Sequence, residues 1–292
     1  MKLAHIINPV LVPPSSDLFV AQPVTFETMQ IAKDFAQADI DVSLFTAQFP
    51  EDRPMIPDGF TPTPDLDRSV LDVATFKKKR KLPLLRDILD RLYEAAPDAD
   101  YLAYTNVDIA LMPFFYRSVK QYIQTPLDAI VINRRTISNE YTGCEQIPLM
   151  YADLGEVHGG FDCFIFKRAS YPRYTLGDTC IGAGGVGSVL LSNMACHAEN
   201  FKVFTDQHLT FHIGKELAWK NPEFADFTSH NLGVMSDILK HLQKESGPFK
   251  HGSLPASLVS SLEPGLHSRL KYRIKRVLSI VNRSVPKGGI KE

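Results

Sequence analysis

The feature that most constrains this chain is an alternation. Short apolar runs, each one strand long, are separated by stretches whose apolar residues recur at helical spacing. Leu3 to Ile7 is the first run, stopped by Asn8-Pro9. A helical pattern follows from Thr25 to Ala38, then an apolar run from Asp41 to Phe45. Residues 50–64 hold five prolines and read as loop. Leu84 to Ala95 has strong helical spacing, and Tyr101 to Thr105 is a strand ending at Asn106-Val107-Asp108. Pro113 to Ile123 reads as helix, Ala129 to Asn133 and Cys163 to Lys167 as strands, Ser188 to Ala198 as helix and Phe201 to Phe204 as strand. Alternation of this kind specifies an α/β layered fold around a mainly parallel sheet.

Charge is distributed unevenly. The net charge is -1, which argues against a nucleic-acid binder, because such a protein needs a basic excess. Yet the last 27 residues hold eight cations against one acid, while the preceding 265 hold 24 cations against 32 acids. Within 266–292, Leu270, Ile274, Val277, Leu278 and Val281 recur at helical spacing. This basic amphipathic helix suits an anionic membrane surface or an acidic partner; the alternative is a helix that packs its apolar stripe on the body. The reading divides the chain into a catalytic domain over 1–235, a linker or helical extension over 236–265 that is Ser/Gly/Pro-rich from 246, and the tail over 266–292. Cys144, Cys163, Cys180 and Cys196 match no zinc spacing and read as reduced thiols. His5, Asn8 and Pro9 interrupt any signal-like run, so the expected location is cytoplasmic, with membrane association at the cytosolic face through the tail.

The segment from Tyr101 to Met112 is the most informative. An apolar strand delivers Asn106 and Asp108 two residues apart, hence on one face of an extended chain. Ligands bind at such strand ends in open α/β sheets. A carboxylate there suits a hard divalent cation; a turn that satisfies its own backbone is the alternative. The passage resembles the Asp-x-Asp segment of GT-A fold glycosyltransferases, with Asn in the first place. His158-Gly-Gly-Phe-Asp-Cys-Phe-Ile-Phe-Lys resembles an acceptor-side segment of such enzymes. Asp206-Gln-His-Leu-Thr-Phe-His-Ile-Gly falls where that family often supplies a metal-binding His. The resemblance spans about Lys2 to Trp219.

The resemblance implies a GT-A-like Rossmann-type three-layer sandwich with a C-terminal helical tail. It implies transfer of a sugar from a nucleotide-diphosphate donor to a hydroxyl acceptor, whether saccharide, lipid-linked or small molecule. Mn²⁺ or Mg²⁺ would neutralise the leaving diphosphate. Asp108 and His212 become the candidate metal ligands, with His208 as the other choice. Asp162 or Asp178 becomes the candidate catalytic base of an inverting enzyme. Asn8, Asn106, Arg134, Arg135, His158 and Gly160 become candidate substrate-binding residues, the arginines toward phosphate.

Two motifs compete or stand apart. Gly182-Ala-Gly-Gly-Val-Gly187 matches G-x-G-x-x-G, and Asp206 follows at the distance of a ribose-binding acid, which would make the chain an NAD(P)-dependent oxidoreductase. A catalytically silent nucleotide- or sugar-binding protein is the third reading, because Asn106 removes one carboxylate. Phe76-Lys-Lys-Lys-Arg-Lys-Leu-Pro is a basic turn before the helix at Leu84, with a role in attracting a diphosphate as its functional reading.

Overall fold

The computed structural model describes residues 1–215 and 222–246. The sequence pattern sets its main frame. β1 (Lys2–Ile7), β2 (Asp41–Thr46), β4 (Tyr101–Thr105), β6 (Ala129–Ile132), β9 (Cys163–Lys167) and β10 (Phe201–Phe204) form where the apolar runs predict strands. With β3 (Thr61–Pro62) they build a seven-stranded sheet in the order β10-β6-β9-β4-β1-β2-β3. All neighbours in it are parallel except β9, which runs antiparallel to both β4 and β6. Helices α1 (Leu18–Ala36) and α3 (Phe115–Gln124) cover one face, where Met29, Ala32, Phe115 and Val119 pack on Leu3, Ile7, Ala103 and Ile165. Helices α2 (Leu85–Ala95) and α5 (Val186–His197) contact β1, β4, β6 and β9 without joining that core, so they cover the opposite face. The result is the three-layer α/β sandwich that the resemblance implies, closed by the long C-terminal helix α6 (Ala225–Ser246) packed on α5.

Parallel strands need crossovers, and here the crossovers diverge at β1. The chain goes from β1 to β2 on one side, and β4 lies on the other. The loops leaving β1 and β4 therefore part above the sheet, and the crevice between them is the natural binding place of an open α/β fold.

The structure revises several sequence expectations. Helix α1 begins at Leu18 rather than Thr25 and carries Pro23 in its second turn. What holds the early turn is tertiary. The buried Gln22 amide donates to the carbonyl of Val10 at 2.9 Å and accepts from its N–H at 2.8 Å. The proline-rich stretch is not wholly loop. Pro50–Met55 is a 3-10 turn with Pro at its start, where no N–H is needed, and β3 is a sheet edge that tolerates Pro62. The domain limit at 235 falls inside α6, in which Met235, Ile238, Leu239 and Leu242 are buried. The remainder of the 236–265 segment beyond Ser246, and the basic tail, lie outside the described residues.

A second sheet was not expected. β5 (Ala110–Leu111), β11 (Thr210–Ile213), β7 (Arg135–Ile137) and the edge strand β8 (Glu156–Val157) pair in the order β5-β11-β7-β8. Strands of two to four residues give no readable period, and the short helix α4 (Ile147–Ala152) packs on them through Ile147 and Met150. Their effect is large, because β5–β11 pairing joins the segment after Asp108 to the segment carrying His212. Among the described residues no helix is long and apolar enough to cross a membrane.

Candidate active site

The crevice above β1 and β4 holds a cleft of about 440 Å³, within the usual range for a small-ligand site. Its walls come from the loop after β1, the start of α1, the loop after β2, the basic turn at Arg80 and Lys81, the end of β4, and β11. Asn8, Asn106, Asp108 and His212 all line it, so four residues picked out in the sequence converge.

Asp108 and His212 form its chemical centre. His212 Nε2 lies 3.2 Å from Asp108 Oδ2, and its Nδ1 lies 2.9 Å from the carbonyl oxygen of Gly214. A carbonyl only accepts, so Nδ1 carries a proton and donates. The ring thereby turns Nε2 toward the carboxylate. Burial opposes charge on both groups, yet their mutual bond outweighs it: the pKa of His212 is raised and that of Asp108 lowered. The buried second oxygen, Asp108 Oδ1, has no hydrogen-bond partner among the described residues. His208, the alternative histidine, sits in the turn before β11 at φ 37° and feels Arg135, Asp153 and Asp206 rather than Asp108.

The pair fits a divalent cation in donor type. A metal-ligating imidazole usually has its other ring nitrogen fixed by a carbonyl or carboxylate, as Gly214 does here. An orphaned carboxylate oxygen beside it is the second donor. No group of three or more His, Cys, Asp or Glu side chains suited to a metal exists among the described residues. A cation here would draw its other ligands from substrate oxygens and water, as Mg²⁺ commonly does.

Asn106 is neutral and oriented. Its Oδ1 accepts from the Tyr104 hydroxyl at 2.9 Å, which leaves the amide N–H groups for other partners. Asn8 is anchored by its amide on the Ala47 carbonyl. Two cations complete the wall. Lys81 pairs with Glu51 at 2.6 Å and lies over the Phe49 ring. Arg80 stacks on Phe224 at 4.3 Å and has no carboxylate partner among the described residues. The sequence pattern marked this basic turn, but not its entry into the cleft. Asp52 was missed altogether: it lines the cleft from inside the proline-rich stretch, with Oδ1 accepting from the Leu11 N–H at 2.7 Å.

The remaining candidates lie apart from the cleft lining. Asp162 and Arg134 form a buried ion pair, Oδ2 to Nη1 3.0 Å, close enough to Asp108 and His212 to influence them electrostatically. Burial raises the pKa of Asp162. With 3% of its side chain exposed and its guanidinium on Asp162, Arg134 is committed inward and does not face the cleft as a phosphate ligand would. Arg135 is committed elsewhere as well, to the carbonyls of Leu154 and Gly155 and to Asp206 at 2.6 Å, where it ties the β7–β8 connection. His158 and Gly160 lie in the turn that leads into Asp162, held by Asn133 Nδ2 donating to the His158 carbonyl at 3.1 Å. Asp178 lies in the turn before α5, where its carbonyl accepts from His230, and it does not line the cleft.

The glycine run does open α5, but no sheet strand feeds it. Between β9 and the glycines come a 3-10 turn, Arg168–Arg173, and a loop. A dinucleotide fingerprint needs strand, turn and helix in direct succession. Gly182 lines the cleft, whereas Gly184 and Gly187 are packing positions. Asn231 of α6 donates to the carbonyls of Cys180 and Gly184, and a Cβ on Gly187 would stand 2.6 Å from the Phe161 carbonyl oxygen. This removes the structural basis for the oxidoreductase reading.

No family model and no curated protein matches the chain. Solved structures do. The chain is similar to Staphylococcus aureus TarS residues 1–349 in complex with UDP-GlcNAc, at 8% identity and a TM-score of 0.47, over 90% of this chain and 78% of that one. The same protein with UDP gives 8% and 0.46 over 84% and 72%. A candidate nucleotide-diphospho-sugar transferase from Desulfovibrio desulfuricans G20 gives 12% and 0.38 over 81% and 97%. Likeness of this extent carries no argument about chemistry, and the residues of the cleft have to supply it.

Proposed function

We propose that this chain is a glycosyltransferase that moves a sugar from a nucleotide-diphosphate donor to a hydroxyl acceptor. The observation that carries the reading is the Asp108–His212 pair, with its orphaned Oδ1, in a cleft at the sheet's switch point that also presents Arg80 and Lys81. Cations and a metal-type donor pair in one crevice suit a diphosphate. Asp108 and His212 would hold Mn²⁺ or Mg²⁺, which when bound supplies charge neutralisation to a departing diphosphate. Arg80, with no acid partner among the described residues, faces phosphate oxygens in this reading. Asn106 offers amide donors to the ribose or to a metal-bound water, and Asn8 and Tyr104 shape the floor. Asp162, which feels the charges of Asp108 and His212, is the acid we assign to accept a hydrogen bond from a substrate hydroxyl, with Asp178 as the other candidate.

Thermal shift with UDP or GDP and Mn²⁺, set against NAD and NADP, tests this directly. A rise in melting temperature with a nucleoside diphosphate, dependent on the metal, is expected. No shift with any nucleoside diphosphate would sink the proposal. The acceptor is a hydroxyl compound of the saccharide, lipid-linked or small-molecule kind. The basic run 266–292, outside the described residues, is assigned by its charge to an anionic surface.

A further inference from the structure

In the sequence, 76–81 is a run of cations in a turn. The structure shows what holds that turn in place. Phe76 stacks on Phe227, with ring centroids 4.1 Å apart and planes 8° apart. The N–H of Lys77 donates to Asp226 Oδ2 at 2.8 Å. Lys78 pairs with Glu223, and the Arg80 guanidinium lies over the Phe224 ring at 4.3 Å. Residues 223–227, where α6 begins, thus grip four of the five residues from Phe76 to Arg80. Further along α6, Asn231 donates to the carbonyls of Cys180 and Gly184, and between these Ile181 and Gly182 line the cleft. The start of one helix therefore carries two walls of the cleft, although no residue of α6 lines it.

Arg80 differs from its fellow arginines. Every other arginine of the described residues has a carboxylate or a carbonyl oxygen as acceptor. The Arg80 guanidinium meets the Phe224 ring instead. An aromatic face attracts a cation through its π cloud and takes none of the five N–H donors. A carboxylate in the same place would engage two of them and cancel the charge. Partial burial opposes the charge of Arg80 and lowers its pKa, so an anion in the cleft would supply the counterpart that the fold withholds. Phe224 is itself fixed by packing on the cluster that holds Val70, Leu84 and Phe227.

We infer that Phe224 is a positioning residue: its ring holds the Arg80 guanidinium in the cleft with the N–H donors unspent, so that the start of α6 sets the affinity of the cleft for a nucleoside diphosphate. Asp226 supports the same task by fixing the backbone of the turn at Lys77. The inference rests on the transferase reading, which makes Arg80 a diphosphate contact, and adds the element that presents it.

The test is a double-mutant cycle read by calorimetric binding of UDP and GDP, each with Mn²⁺. Phe224→Leu is expected to weaken binding of the tighter diphosphate by about fivefold, the scale of a cation–π contact. Phe224→Tyr, which keeps a ring face, should recover most of that loss. In an Arg80→Ala background, Phe224→Leu should change binding by less than about twofold, because the ring then has no guanidinium to hold. A loss of the same size in both backgrounds would mean that Phe224 acts through general packing, and overturns the inference. Unchanged binding in Phe224→Leu, or in Arg80→Ala, overturns it too; in each case a diphosphate still binds, and the transferase reading stands. If neither UDP nor GDP binds the wild type, both fail. Should Phe224→Leu misfold, Phe224→Met decides by the same cycle.

Discussion

His212 meets Asp108 at 3.2 Å across 104 residues of sequence, while its other ring nitrogen is fixed 2.9 Å from the Gly214 carbonyl. The pairing depends on the small second sheet. β11 runs beside β5, which begins two residues after Asp108, so the two chains can reach each other only when those short strands pair. A metal-type donor pair is thus built by tertiary register and not by a local motif.

Removing either member should abolish the metal-dependent part of ligand binding. Asp108→Asn and His212→Ala are expected to weaken Mn²⁺-supported UDP or GDP binding by on the order of 100-fold, at least the effect of deleting a supporting partner of a metal ligand. The metal-dependent rise in melting temperature should vanish with it. A variant that keeps the full metal-dependent shift would exclude this pair as the metal site.

Arg80 supplies a cleaner probe, because no carboxylate in the described residues depends on it. Arg80→Ala is expected to weaken nucleoside diphosphate binding by roughly tenfold to 100-fold, the range of a charge-assisted hydrogen bond. Arg80→Lys should recover part of the loss, and chemical denaturation midpoints should move little. Unchanged binding in Arg80→Ala would place the diphosphate elsewhere.

His5 gives the fold a pH dependence. Its ring is buried between the Tyr116 hydroxyl at 2.9 Å and the Thr105 hydroxyl at 3.0 Å, and burial takes its pKa from 6.5 down to about 3. The unfolded chain protonates this ring near pH 6.5, whereas the folded chain resists until about 3. The unfolded state therefore binds more protons in that window, and stability falls as pH drops through it. From pH 7 to 5 the contribution is about 2 kcal/mol. Urea denaturation at the two pH values should show a loss in the wild type larger by about that amount than in His5→Gln; equal losses would show that His5 does not titrate this way.

Gly187 marks where α5 is pressed onto the turn before β9. A Cβ there would meet the Phe161 carbonyl at 2.6 Å, and backbone cannot step aside cheaply. Gly187→Ala is expected to cost about 1–3 kcal/mol of stability, the range for overpacking. Since Asp162 is the next residue after Phe161, turnover should fall further than the stability loss explains. A neutral Gly187→Ala would show that the turn yields freely.

The charge of the C-terminal run predicts an association that salt weakens. Deleting 266–292 should abolish sedimentation with vesicles containing anionic lipid, and about 0.5 M salt should weaken it in the intact chain. Binding that survives deletion would remove the tail from any such role.

Some of this was legible in residues alone. The apolar runs of β1, β4, β6 and β9 announced strands, and the alternation with helices announced a layered α/β fold, because burial on both faces demands continuous apolar strands. Asn106 and Asp108 were legible as a polar strand end. The start of α1 was not, since Pro23 signals a break and only the Gln22–Val10 bonds overrule it. Arginine illustrates the limit best. Arg134, Arg135 and Arg80 are chemically identical in the sequence, and the first two are the expected phosphate ligands because a guanidinium suits phosphate geometry. Packing sends Arg134 to Asp162 and Arg135 to Asp206 and two carbonyls, and leaves Arg80 in the cleft.

The sequence by itself determined the elements and the polar residues available at their ends, because periodicity and strand termination are local properties of the chain. Only the tertiary structure decided which of those ends meet. Strand order, the one antiparallel strand β9 and the pairing of β5 with β11 set the partners of Asp108, Asp162 and Asn133, and those partners follow from register between distant segments, on which local spacing is silent.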